Sequence, residues 1–183
     1  MKTRPATEYV LLGSLFQGPK HGYEIMNFLD QSLGGSWYVS TSQLYAVLKR
    51  LEKKGLVNSS IKHQETRPSK RIFSLTQKGK EVFEQWTKLP AEHVRDMRIE
   101  FLAKLYFIKS YRLQWGRSLV DKQAELLLQR QSSLTELKKK EKDPYLRLIC
   151  TFKLHTVRAW LAWVKKEAKD LSLIHISEPT RPY

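Results

Sequence analysis

The chain has 183 residues, enough for one or two domains with cores of their own. Lys and Arg number 33 against 18 Asp and Glu, a net charge of +15 with a pI near 9.9, so a polyanionic partner is expected. No run approaches the roughly 18 apolar residues of a membrane span, no basic-apolar-small leader stands at Met1, and the single Cys150 excludes an internal disulfide; a cytoplasmic protein that prefers nucleic acid to lipid is predicted.

In chain order, Met1 to Ala6 reads as a loose start and Glu8 to Phe16 as a buried first helix, too apolar for a surface element. Gln17-Gly18-Pro19-Lys20 reads as a turn. A second helix begins at His21-Gly22-Tyr23, with Ile25, Phe28 and Leu29 on its inner face, and ends at Leu33-Gly34-Gly35-Ser36. Ser40 is placed as N-cap of a third helix running to Lys54, in which Leu44, Val47, Leu48 and Leu51 recur at i, i+3, i+4 and i+7. At 100° per residue the opposite face carries Ser42, Ala46, Lys49 and Lys53, flanked by Gln43, Tyr45 and Arg50. Gly55 suits the stop, and Leu56, Val57, Ile61, then Phe73, Leu75, read as two short strands joined by a basic link from Lys62 to Arg71. A fourth helix starting at Thr76 carries Val82, Phe83 and Trp86. This order is that of a winged helix-turn-helix whose third helix reads DNA. From Ser40 to Lys80 there are ten Lys or Arg against Glu52 and Glu65, a net of +8, over half of the chain's charge.

Leu89-Pro90-Ala91 breaks the pattern and marks a boundary. Three helices are predicted beyond it: Asp96 to Lys109; Leu113 to Lys140, with Leu113, Val120, Leu127 and Leu134 at seven-residue spacing; and Tyr145 to Lys169, with Ile149, Phe152, Thr156, Ala159 and Trp163 as its stripe. Gly116, Gln123 and Arg130 at the alternate positions disfavour a free two-stranded zipper, so a mixed intra- and intersubunit bundle is expected. Cys150 reads as a small core residue. Leu171 to Arg181 continues no periodicity and reads as the in-frame translation of a transposon-based sequencing adapter, so residues 171–183 are kept out of fold and site reasoning.

His21-Gly22-Tyr23-Glu24-Ile25, Trp37-Tyr38-Val39-Ser40, the run from Leu44 through Leu56, and Arg67-Pro68-Ser69-Lys70-Arg71-Ile72-Phe73-Ser74-Leu75-Thr76 with Gly79 closely resemble the PadR-type transcriptional regulators. Four motifs in the right order make the signal specific. Ile72 stands where the family pattern usually has an aromatic residue, a departure that touches strand packing more than DNA contact. The resemblance implies a helical C-terminal domain that intertwines two subunits, ending in a helix with Trp160-Leu161-Ala162-Trp163. It also implies a DNA-backbone contact at Tyr45, and release by phenolic acids or other aromatic compounds.

The expected protein is mainly α with a small two-stranded β-wing, divided into 1–89, a winged-helix DNA-binding domain, and 90–170, a helical dimerisation and effector domain. The DNA-binding residues are Ser40, Thr41, Ser42, Gln43, Tyr45, Lys49, Arg50, Lys53, Arg67, Lys70 and Arg71. Gln43 or Lys49 would reach base edges, Tyr45 and Ser42 phosphates, and Arg67, Lys70 and Arg71 of the wing phosphates or the minor groove. Trp37, Phe101, Tyr106, Trp160 and Trp163 are the expected walls of an effector pocket between the domains. The partners are double-stranded DNA with a palindromic operator, a second copy of the chain, and a small aromatic effector. The five histidines show no HExxH spacing and no Cys partners, and there is no Gly-rich phosphate loop and no GxSxG. No catalytic residue, metal or cofactor is therefore expected. The rival readings are a winged-helix module that binds an acidic protein, a regulator without an effector, and an enzyme.

Overall fold

The computed structural model describes residues 6–33, 37–62 and 70–170, and the chain divides into two compact units, Met1–Trp86 and Thr87–Tyr183. In the first, helix α1 (Ala6–Ser14) is followed by a two-residue strand β1 (Lys20–His21), α2 (Gly22–Ser32), α3 (Thr41–Lys53), β2 (Val57–Lys62), β3 (Lys70–Leu75) and α4 (Gln77–Lys88). Local chemistry accounts for the helix ends. Ser40 Oγ accepts the Gln43 N–H at 3.3 Å while Gln43 Oε1 accepts the Ser40 N–H at 3.2 Å, a reciprocal cap on α3. His21 and Glu24 do the same for α2, at 3.3 and 2.8 Å. Gly55, with φ of 67°, turns the chain out of α3 in the left-handed conformation that glycine adopts without steric cost.

The sheet has three strands, in the order β1-β3-β2, rather than the expected two. Lys20 and His21, expected as turn and helix start, pair antiparallel with Phe73 and Ile72. An extended pair of residues entering the α2 cap lies against the otherwise open edge of β3, which satisfies main-chain groups that sequence periodicity does not report. On the other edge β2 runs antiparallel to β3, with Ser59 opposite Phe73 and Ile61 opposite Arg71. The link from His63 to Ser69 lies outside the described residues. The core beneath is Val10, Leu11 and Leu12 of α1, Ile25 and Leu29 of α2, Leu44, Leu48 and Leu51 of α3, Phe73, and Phe83 and Trp86 of α4. Trp86 stacks on Tyr9 at 5.1 Å.

The second unit begins with Val94–Asp96 as a 3₁₀ turn and a wide π-type turn at Met97–Phe101 that runs into α5 (Leu102–Ser110). Helices α6 (Gly116–Lys140) and α7 (Pro144–Trp163, continuing as a π-type turn to Ala168) form a hairpin. Its core joins Met97, Phe101, Leu105 and Ile108 to Leu119, Val120 and Leu127 of α6 and to Val157, Leu161, Val164 and Ala168. Leu113 lies before α6, because Arg112 adopts a positive φ of 52° and breaks the helix there. The seven-residue row thus continues within α6 only from Val120. Gln123 sits fully buried because its amide holds both main-chain groups of Ala91, accepting its N–H at 2.7 Å and donating to its carbonyl at 3.2 Å. Lys104 is buried too, bound to Glu100 Oε1 at 2.6 Å and the Leu89 carbonyl at 2.8 Å. Burial lowers its pKa, opposed chiefly by Glu100.

The expected stripe of the last helix is not its buried face. Cys150, Leu154, Val157 and Leu161 turn inward, whereas Phe152 is 72% exposed and Ala159 is exposed. Both sets fit a helical period, and packing against α6 decides between them.

Candidate nucleic-acid interface

Helix α3 presents Thr41, Ser42, Gln43, Tyr45, Ala46, Lys49, Arg50 and Lys53 to solvent, while Leu44, Val47, Leu48 and Leu51 anchor it. The apolar stripe and the cap fix the roll of the helix, and the roll sets which residues face out. Small Ser42 and Ala46 between Gln43 and Lys49 leave room for close approach of a partner surface. Ser40 and Gln43 are partly committed to the cap, and Ser40 Oγ also lies 3.1 Å from Ser42 Oγ. Tyr45 is 44% exposed, and its phenol lies over the Cα of Gly22, where any Cβ would run into the hydroxyl. Glycine leaves room there for the end of the Tyr45 ring, so a larger residue would push the phenol aside.

Tyr45 also lines a cleft of about 370 Å³ with His21, Gly22, Tyr23, Lys70 and Arg71. The start of α2, the exposed side of α3 and the wing strand therefore converge on one basic, hydroxyl-bearing pocket. Tyr23 is 70% and Tyr38 87% exposed on the adjoining surface, where both line the groove between α2 and α3 together with Trp37, Val39 and Tyr45. Neither tyrosine was among the expected site residues. The signal for them was their position, aromatic residues outside every apolar stripe in the segment leading into α3.

Several cations of this face are tied to acids. Glu8 on α1 is 2% exposed and takes Lys54 Nζ at 3.0 and 2.8 Å on its two oxygens, with Arg50 Nε at 3.4 Å. Arg50 thus turns back toward the core as well as outward. Arg71 donates to Glu52 Oε2 at 2.7 Å and to Ser59 Oγ at 2.9 Å, with its guanidinium 5.4 Å from the Phe73 ring centre. The Ser59 hydroxyl foremost, and then Arg71, hold the Glu52 carboxyl below its ordinary value, against the opposing effect of burial. Lys49 and Lys53 stand exposed on the outer face, and Lys70 is half-buried opposite Lys62. Arg67 lies outside the described residues.

The expected effector residues fall in different units. Trp37 belongs to the first, nearly buried beside Tyr38 and Leu44. In the second, Phe101 is fully buried and meets Trp163 edge-on at 6.4 Å, Trp163 meets Trp160 edge-on at 5.8 Å, and Tyr106 packs on Phe107 at 5.5 Å. Of these, Trp160 lines an open groove of about 800 Å³ shared with Leu134, Leu137, Phe152 and Val157, with Arg95, Arg130 and Lys153 at its wall. Among the described residues no group of three or more His, Cys, Asp or Glu is arranged to hold a metal ion, and no helix is long and apolar enough to cross a membrane.

Comparison with known proteins agrees with these features. The model of the Transcriptional regulator PadR-like family matches residues 11–85. The chain is 31% identical over 130 residues to the negative transcriptional regulator PadR of Bacillus subtilis (strain 168), spanning 71% of this chain and 70% of that protein. Similar solved structures include Bacillus subtilis PadR in complex with operator DNA, at 24% identity and a TM-score of 0.47, covering 91% of this chain and 99% of the other. The same protein in complex with p-coumaric acid matches at 22% identity and a TM-score of 0.41, covering 96% and 99%. This chain belongs to the PadR-like family of transcriptional regulators, DNA-binding proteins rather than enzymes.

Proposed function

We propose that the protein is a cytoplasmic, homodimeric repressor that binds a roughly palindromic operator and is released from it by a small aromatic or hydrophobic acid. The observation that carries the DNA reading is the outer face of α3, where Ser42, Ala46, Lys49 and Lys53 form a narrow, cationic strip anchored by a fully apolar opposite side. Such a strip enters the major groove, with Gln43 and Lys49 toward base edges, while Tyr45, Lys70 and their cleft take a phosphate. In this reading residues 1–89 bind DNA, 90–170 pair the subunits and take the effector, and 171–183 have no part.

Pairing is supported by the outer side of the α6–α7 hairpin. Tyr145 and Leu148, three residues apart on α7, are 68% and 64% exposed, apolar surface away from the groove beside Trp160 that a second subunit would cover. Two-fold pairing would set the two reading helices on half-sites one or two turns apart. The repressor sign follows the negative regulator to which the chain is 31% identical. The groove beside Trp160 supports the effector class: apolar walls suit an aromatic ring, and Arg95, Arg130 and Lys153 suit a carboxylate. p-Coumaric acid is accordingly the first compound to try.

The test is titration of the chain ending at Asp170 against its own upstream DNA and a shuffled duplex, over a salt series, with and without p-coumaric acid. Preference for the upstream duplex, two subunits per site, a steep salt slope and release by the acid are expected. Equal, weak binding to both duplexes would refute sequence-specific self-regulation and favour a module that docks on an acidic protein. Specific binding that no aromatic acid weakens would refute the effector.

A further inference from the structure

Glu52, Ser59 and Arg71 come from three elements, the last turn of α3, β2 and β3, and close a three-membered ring. Ser59 Oγ donates to Glu52 Oε1 at 2.6 Å and accepts from Arg71 Nε at 2.9 Å, and an Arg71 terminal nitrogen donates to Glu52 Oε2 at 2.7 Å. The strand register explains why these groups meet. With Ser59 opposite Phe73 and Ile61 opposite Arg71, all four side chains share one face of the sheet, and Arg71 reaches Ser59 along the diagonal. The Phe73 ring, its centre 5.4 Å from the guanidinium carbon, offers the cation an aromatic face that helps hold it in this position. Each hydrogen bond of the ring polarises the next, so the ring fixes geometry more firmly than an isolated surface pair.

Arg71 also lines the basic cleft of Tyr23, Tyr45 and Lys70, and half of its side chain is exposed. A phosphate arriving in that cleft therefore meets a guanidinium whose charge Glu52 already balances. We propose that Glu52 is a positioning residue for operator recognition: it pins the wing strands to the end of the reading helix and withholds Arg71 from the DNA backbone, limiting sequence-independent binding. This inference rests on the DNA reading above. It reassigns Arg71 from backbone contact to strut, leaving Lys70 and Tyr45 to face the phosphate.

The experiment compares wild type, Glu52→Gln, Arg71→Ala and the double variant, each checked for folding by circular dichroism, on upstream and shuffled duplexes across a salt series. Glu52→Gln keeps the shape of the side chain and an acceptor for Ser59 but frees Arg71. It is expected to bind the shuffled duplex several-fold more tightly, with a salt slope steeper by about 1.8, the increment for two added phosphate contacts, one from each subunit of the dimer, and with a reduced preference for the upstream duplex. The double variant restores the wild-type slope. Arg71→Ala alone is expected to leave the wild-type slope on the shuffled duplex unchanged, a readout that holds even if Glu52→Gln does not fold. A slope shallower by about 1.8 in Arg71→Ala, the loss of one contact from each subunit, would show that Arg71 already grips the backbone and overturn the proposal. Glu52→Gln weakening both duplexes equally at constant slope would overturn it too, leaving only a structural role. A wild-type chain that binds neither duplex would remove the DNA reading itself and this inference with it.

Discussion

Replacing Glu8 by Gln tests how strongly α3 is held from behind. The change keeps side-chain volume, so no cavity opens, and removes one buried negative charge that faces Lys54 at 2.8 Å and Arg50 at 3.4 Å. At an effective dielectric of about 20, a charge pair near 3 Å is worth about 5 kcal/mol before desolvation. Removing Glu8 from water takes back several kcal/mol of this. Lys54 and Arg50 keep 39% and 52% of their side-chain surface exposed, so both can rehydrate once the carboxylate is gone. The net loss expected is therefore about 2 kcal/mol, below the 3–5 kcal/mol typical of breaking a fully buried pair. In urea, followed by tryptophan fluorescence, this lowers the midpoint by about 1 M at a typical m-value near 2 kcal/mol/M, with m unchanged. An unmoved or raised midpoint would show that desolvation of Glu8 cancels its ion pairs, and would refute the account of α1 as the anchor of α3.

Ser40→Ala removes the hydroxyl that accepts the Gln43 N–H and should cost about 1 kcal/mol of stability, while Ser40→Gly costs only a few tenths; calorimetry of the three proteins checks the order. Gly22→Ala places a methyl where the Tyr45 hydroxyl lies, and the flexible phenol must swing aside. DNA affinity should fall several-fold while thermal stability changes little; unchanged affinity would remove Tyr45 from the interface. Because the Glu52 carboxyl titrates below its ordinary value of 4.5 when folded, its stabilising contribution is present above about that pH and is lost as pH falls through the lowered value. The stability difference between wild type and Glu52→Gln should therefore be constant near pH 6 and shrink under acid titration; a difference that grows with acid would reverse the sign of the linkage.

What sequence determined by itself is the part governed by short-range rules. The roll, cap and stop of α3 rest on neighbours three to seven residues apart, so Ser40, Leu44, Val47, Leu48, Leu51 and Gly55 announced the element and its outward face together. The concentration of Lys and Arg around it was equally legible, and four local motifs carried the family. Tertiary structure decided which of those cations have acids beside them. Glu8 reaches Lys54 across 46 positions and Glu52 reaches Arg71 across 19, separations that no periodicity encodes. The same holds for β1, two residues too short to show a pattern, which exist as a strand only because β3 offers an edge. In α7 apolar residues surround much of the helix, so two stripes satisfied the same period. Packing on α6 chose Cys150, Leu154, Val157 and Leu161, and left Phe152 outside. Local propensity selects elements; only the mutual exclusion of volume and the need to balance buried charge select their partners.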